Sequence, residues 1–202
     1  MIRKEFVNRR VLDIYRKLPE IKFPIRLKEI IDQIPNCRLM SYEELSKITG
    51  TTIQDIIDIC ESESGCTHYD PSKDRYLILC NQDIKYNSIR RQRWTCGHEI
   101  GHVICNHNSI ALVSHMSENG TSESIDAEME READYFAATL LSPFPYFRAL
   151  GINTYTDVMN TFGLSCESAK YRMAEYNEWI KTHRKTSWEN DMLRLFRDKY
   201  KA

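Results

Sequence analysis

Residues 95–107 read TCGHEIGHVICNH, and the order His98-Glu99-Ile100-Gly101-His102 places two imidazoles four residues apart with a carboxylate beside the first. On an α-helix, residues at i and i+4 share a face about one turn apart, so both rings can direct a nitrogen at a single ion. Glu99 is rotated off that line, next to the ion without ligating it. From there a carboxylate can take a proton from a water that the ion activates, which is metal-assisted hydrolysis. His98 and His102 are therefore expected as metal ligands and Glu99 as the general base.

Two histidines do not complete a site. The extended spacing H-E-x-x-H-x-x-G-x-x-H requires glycine and histidine where this chain has Cys105 and Asn108. The alternative is a glutamate from a later helix, giving a His₂Glu set with a fourth position open to water. Residues 126–143, DAEMEREADYFAATLLSP, contain Glu128, Glu130 and Glu132. Glu130 is favoured because Asp134 follows four residues later, on the face of Ala133 and Ala137, whose small side chains permit close approach to the motif helix. A carboxylate one turn from the ligand can accept the second ring N–H of a metal-bound histidine and fix its tautomer. Glu130 is thus the expected third ligand and Asp134 the orienting group. Glu128 and Glu132 fall on other faces and are expected to be solvated. The expected ion is zinc, and a purely structural site is disfavoured because such sites close with four protein ligands.

The elements that would position these groups are mostly helices. Val7, Val11, Ile14 and Leu18 recur at helical spacing, as do Leu27, Ile30, Ile31 and Ile34 before Pro35. Ser41 precedes Glu44 by three residues, a capping-box pattern, and Ile53, Ile56, Ile57 and Cys60 mark another short helix. This stretch reads as a helical wrap. Strand-like runs flank Asp70-Pro71-Ser72-Lys73-Asp74, whose turn-forming residues suit a hairpin and a small antiparallel sheet. A helix from about Ser88 carries the motif, and a second long helix spans Ser124 to Leu141, ended by Pro143 and Pro145. Helical periodicity returns in residues 155–181 and in the tail.

The pair RQRWTCGHEIGHVICNH and EMEREADYFAATLLSP resembles the ImmA/IrrE family of metallopeptidases, whose members join an H-E-x-G-H helix to an E-x-[E/Q]-A-[N/D]-x-F-A-A-x-L-L helix. The resemblance implies zinc ligands at His98, His102 and Glu130, the base at Glu99, and Asp134 beside the ligand helix's alanine. Tyr135, Phe136 and Ala137 match the packing residues that follow. The stretch TDVMNTFGLSCESAKYR is similar to the family's C-terminal element, with a turn at Gly163 to Ser165. Gly97 departs from a common alanine and Ser142 from a common methionine, which bears on packing. The implied fold is α+β, a zincin-like core of the gluzincin type, with residues 1–150 forming the metallopeptidase domain and 151–202 a helix-turn-helix-like element and tail.

What remains is less specific. His107 lies about 500° of helix rotation beyond His102, off the ligand face, and is expected in a structural role, capping the helix or hydrogen-bonding near the site. His115 falls in a segment, 108–122, expected as a loop over the cleft, where it could stabilise an oxyanion or the segment could form a lid. His183 reads as a surface residue. The tail from Lys181 carries seven Lys/Arg against three Asp/Glu, with Trp188, Met192, Leu195 and Phe196 offering an apolar face for docking on the body or on a partner.

A net charge of −1 gives no electrostatic basis for direct nucleic-acid binding. Lys170 and Arg172 are balanced by Glu167 and Glu175. The charged start MIRKEFVNRR leads into no apolar signal core, and no stretch reaches membrane-span length, so a cytoplasmic protein is expected. Seven scattered cysteines without a C-x-x-C pair suggest neither a disulfide framework nor a cysteine zinc site. The expected function is a zinc endopeptidase of narrow specificity whose protein substrate, by resemblance, is a helix-turn-helix repressor of a phage or mobile element. The alternative is a regulatory protein that captures its partner on the same scaffold without cutting it. An intact Glu99 argues for retained chemistry.

Overall fold

The computed structural model describes residues 2–85, 87–108, 122–182 and 185–201, with only the backbone for 122–125. His115, nearly all of the 108–122 segment and His183 lie outside the described residues. The elements are α1 (Lys4–Lys17), α2 (Leu27–Ile31), β1 (Cys37–Ser41), α3 (Tyr42–Thr49), α4 (Ile53–Cys60), β2 (Gly65–Asp70), β3 (Arg75–Cys80), α5 (Ile89–Ile104), α6 (Ser122–Leu141), α7 (Phe144–Phe147), α8 (Tyr155–Phe162), α9 (Cys166–Thr182) and α10 (Ser187–Lys199). This is an α+β chain dominated by helices. None of the helices described is long and apolar enough to cross a membrane.

Contacts divide the chain into two compact units, one holding residues 27–134 and the other residues 3–26 with 135–202. The boundary falls inside α6, after Asp134, so the units do not coincide with a division at residue 150.

In the first unit the sheet has the order β1-β3-β2. β2 pairs antiparallel with β3 from Gly65↔Cys80 to Asp70↔Arg75, the expected hairpin. The sheet is nevertheless mixed and not purely antiparallel, because β1 runs parallel to β3 from Cys37↔Tyr76 to Ser41↔Cys80. The sequence CRLMS hides this strand: it is five residues long and only its last two are buried, so no period-2 alternation shows. A parallel pair needs a long crossover, and α3, α4 and β2 supply it. Ser41 ends β1 and also caps α3, accepting from Glu44 N at 3.0 Å while its own N–H donates to Glu44 Oε2 at 2.8 Å. Met40, Tyr42, Ile56, Ile57 and Leu79 form the core between this sheet and the two short helices.

Helix α5 starts at Ser88, whose hydroxyl accepts from Arg91 N, and packs on β2 and β3. Gly65 makes that seat possible. A Cβ there would lie 2.6 Å from the Leu79 carbonyl oxygen and 2.8 Å from Thr95 Cγ2, so only glycine lets strand and helix approach this closely.

The second unit is an aromatic-rich helical assembly. Tyr15 of α1 donates to the Leu140 carbonyl at 2.8 Å, and Tyr146, Phe147 and Phe162 are fully buried. Gly163, at φ +68°, ends α8 and turns the chain into α9, as the helix-turn-helix-like pattern predicts. Arg172 of α9 is buried and faces inward: its guanidinium donates to the Ser142 carbonyl and hydroxyl at 3.0–3.2 Å, pairs with Glu175 at 3.0 Å and covers the Phe144 ring at 3.5 Å. Serine at 142 thus provides an acceptor that methionine would lack. The tail docks within this unit, where Phe196 contacts Tyr146 at 4.9 Å and Lys199 Nζ donates to the carbonyls of Arg16 and Leu18.

Candidate metal centre

The i, i+4 geometry of α5 brings the two motif rings together, with His98 Nε2 and His102 Nε2 2.9 Å apart. Glu130 reaches them from α6, with Oε2 3.1 Å from His98 Nε2 and Oε1 3.3 Å from His102 Nε2. Asp134, one turn further along α6, lies 2.9 Å from the other nitrogen of His98, Nδ1. Ala133, between them in sequence, is fully buried. All four residues expected from the spacing, with Glu99, therefore converge on one place.

The donor set fits a small cation. Ligand nitrogens and oxygens about 2.0–2.2 Å from a tetrahedral zinc sit roughly 3.3 Å from one another, close to the spacing of these atoms. The electrostatics favour positive charge at the same point. Burial opposes a charge on His98, but the hydrogen bonds to Asp134 and Glu130 outweigh it and raise its pKa to about 10. His102 moves the other way, to about 4, because it is buried and then faces the charge on His98. The hydrogen bond with His98 holds the Glu130 carboxyl below its ordinary range, partly offset by burial. One positive charge is thus favoured among these groups.

Glu99 is 7% exposed and does not join the triangle. Burial pushes its pKa up, while the hydroxyl of Thr67 on β2, which donates to Oε2 at 2.6 Å, pulls it down. A carboxyl whose burial favours its protonated form is better suited to exchanging protons than an exposed one. Thr67 carried no signal in the sequence, since a threonine in a strand is ordinary and its partner lies 32 residues away.

One further residue departs from expectation, and His107 reaches its expected structural role by a different geometry. Glu132 is not solvated but 4% exposed, with Oε1 3.1 Å from Nε2 of the equally buried His107. The Nδ1 of His107 lies 3.1 Å from Nδ1 of His102. The helix-rotation argument for His107 fails because α5 ends at Ile104, and Asn106 at φ +61° turns the chain back. Cys105, His107 and Glu132 form a second buried group whose ligand atoms lie within 4.8 Å of one another. Glu128 is exposed, as expected.

A cleft of about 590 Å³ opens over these groups, bordered by β2 residues Gly65, Cys66 and Thr67 and by Trp94, Met129 and Asp134. Residues 56–174, more than half of the sequence, match the peptidase family model described as the IrrE N-terminal-like domain. The chain belongs to the ImmA/IrrE family. No curated protein sequence matches this ImmA/IrrE chain. Among solved structures it is similar to a Mycobacterium tuberculosis transcriptional regulator, with a TM-score of 0.50 and 10% identity over 91% of this chain and 49% of that one. At that identity the likeness concerns the fold alone, and the chain spans about half the length of that structure.

Proposed function

We propose that this ImmA/IrrE chain is a zinc-dependent endopeptidase with a zincin-like core and narrow specificity, acting in the cytoplasm on a helix-turn-helix transcriptional repressor to relieve repression. The observation that carries the chemistry is the triangle of His98 Nε2, His102 Nε2 and the Glu130 carboxylate, with edges of 2.9, 3.1 and 3.3 Å, beside a buried Glu99. In this reading His98, His102 and Glu130 hold Zn²⁺ and Asp134 accepts the Nδ1–H of His98. When bound, zinc supplies an activated water and polarises the scissile carbonyl. Glu99 takes the proton from the attacking water and returns it to the leaving amine. The Thr67 hydroxyl holds Oε2 and leaves Oε1 for that exchange.

Substrate presentation follows from the sheet. β2 is an edge strand of the described sheet and borders the cleft, so an extended peptide can pair with it beside Glu99. Family membership supports the choice of a peptide bond, and the transcriptional regulator of similar fold supports a regulatory setting.

The ligand assignment is tested by zinc content. Glu130→Ala is expected to lose most of its bound zinc, whereas Glu128→Ala keeps it. Equal occupancy in the two variants refutes Glu130 as a ligand.

A further inference from the structure

His107 and Glu132 serve no purpose in the chemistry above, yet both are nearly inaccessible and they touch the motif through His102. A neutral imidazole has one N–H and one lone pair, on different nitrogens. Two Nδ1 atoms 3.1 Å apart must therefore share one hydrogen between them. When His102 turns the Nε2 lone pair to an ion, its hydrogen is on Nδ1 and is donated to His107 Nδ1. The hydrogen of His107 is then on Nε2, where it meets Glu132 Oε1 at 3.1 Å.

We propose that Glu132 and His107 form a positioning relay, in which the carboxylate fixes the tautomer of His107 and His107 fixes that of His102, leaving His102 Nε2 ready for the metal. The inference rests on the zinc-site reading above and extends it to two buried residues. It gives each ligand histidine a carboxylate support, Asp134 directly for His98 and Glu132 through a second ring for His102. Such outer partners orient a ligand ring and raise its basicity.

The same residues invite a rival reading, a second metal site at Cys105, His107 and Glu132, whose ligand atoms lie within 4.8 Å of one another. The shared hydrogen argues against it. If His107 Nε2 ligated an ion, its hydrogen would move to Nδ1 and be donated to His102 Nδ1. The hydrogen of His102 would then sit on Nε2, the nitrogen needed at the first site. With neutral rings the two sites exclude each other.

The test uses the full chain. Zinc stoichiometry and affinity are measured by competition with a chromophoric chelator for the unaltered protein, His107→Phe, Glu132→Gln, Glu132→Leu and Cys105→Ser, with circular dichroism to confirm folding. The relay predicts one zinc per chain, with affinity lowered on the order of 10–100-fold in His107→Phe and Glu132→Leu. Glu132→Gln, which keeps an acceptor oxygen, recovers part of the loss, and Cys105→Ser changes nothing. Long-range ¹H–¹⁵N spectra of the zinc-loaded unaltered protein need no variant to fold, and the relay predicts a protonated Nδ1 on His102 and a protonated Nε2 on His107. A protonated Nδ1 on His107, or unchanged affinity in folded His107→Phe and Glu132→Leu, overturns the relay. Two zinc ions per chain, one lost in Cys105→Ser, replace it with the second site. A chain that binds no zinc removes the parent reading and the relay with it.

Discussion

His98 and His102 stand one turn apart on the same helix, yet their outer nitrogens are held in opposite surroundings. His98 Nδ1 meets Asp134, whose side chain is 56% exposed. His102 Nδ1 meets His107, which leads to Glu132, with side chains 3% and 5% exposed. Water can replace a lost partner in the first case and has no access in the second. In the proposed zinc site, Asp134 at the rim would therefore tune one ring, whereas the buried pair behind the other is also part of what holds the unit together.

That contrast can be broken by substitution. His107→Ala leaves the buried Glu132 carboxylate without this donor and opens a cavity, and is expected to cost about 3 kcal/mol in urea denaturation. Asp134→Ala, at the exposed end, is expected to cost less than about 1 kcal/mol. Equal costs would erase the distinction between rim and interior. A smaller effect probes the seat that both histidines share. Gly65→Ala forces a Cβ to within 2.6 Å of the Leu79 carbonyl, an overpacking expected to cost about 1–2 kcal/mol and to weaken metal binding through both rings. An unchanged melting temperature would show that β2 yields without strain.

The smallest effect is a control drawn from a partly exposed capping carboxylate far from the site in sequence. Hydrogen bonds from the Asn153 backbone, then from the Thr154 side chain and backbone, hold Asp157 below its ordinary pKa at the start of α8. A depressed folded-state value means that the stabilisation is present above the unfolded pKa and is lost as pH falls through the folded one. Asp157→Asn should therefore narrow the stability gap between neutral pH and strong acid, measured by thermal melts across that range. An unaltered acid limb would exclude a contribution from this cap.

The same division between exposed and buried governs what the sequence made legible. His98 and His102 on one helix, and Glu130 and Asp134 on another, stand at i, i+4 spacing, so local periodicity predicts which side chains share a face, and the family resemblance implies the same set. The cap at Ser41 and the turn between β2 and β3 are likewise local. Thr67, His107 and Glu132 act through contacts across 25 to 41 residues or through a turn, and no periodicity reports such pairs. The sequence places Glu132 in solvent because a helix wheel assumes that the face away from the motif meets water. Here Asn106 in the left-handed region returns His107 to that face. β1 escaped because five residues with burial only at one end carry no strand signature.

The measurement that tests the central claim most directly is intact-mass analysis of a candidate helix-turn-helix repressor, one that co-purifies with this protein, after incubation with the zinc-loaded chain, with a chelated sample and with Glu99→Gln. The account predicts cleavage at a defined bond with the zinc-loaded chain, none with chelator, and a rate lowered on the order of 10²–10⁴-fold in a Glu99→Gln variant that still holds zinc. An intact repressor bound equally by the unaltered chain and Glu99→Gln, or fragments that appear without zinc or Glu99, would contradict it.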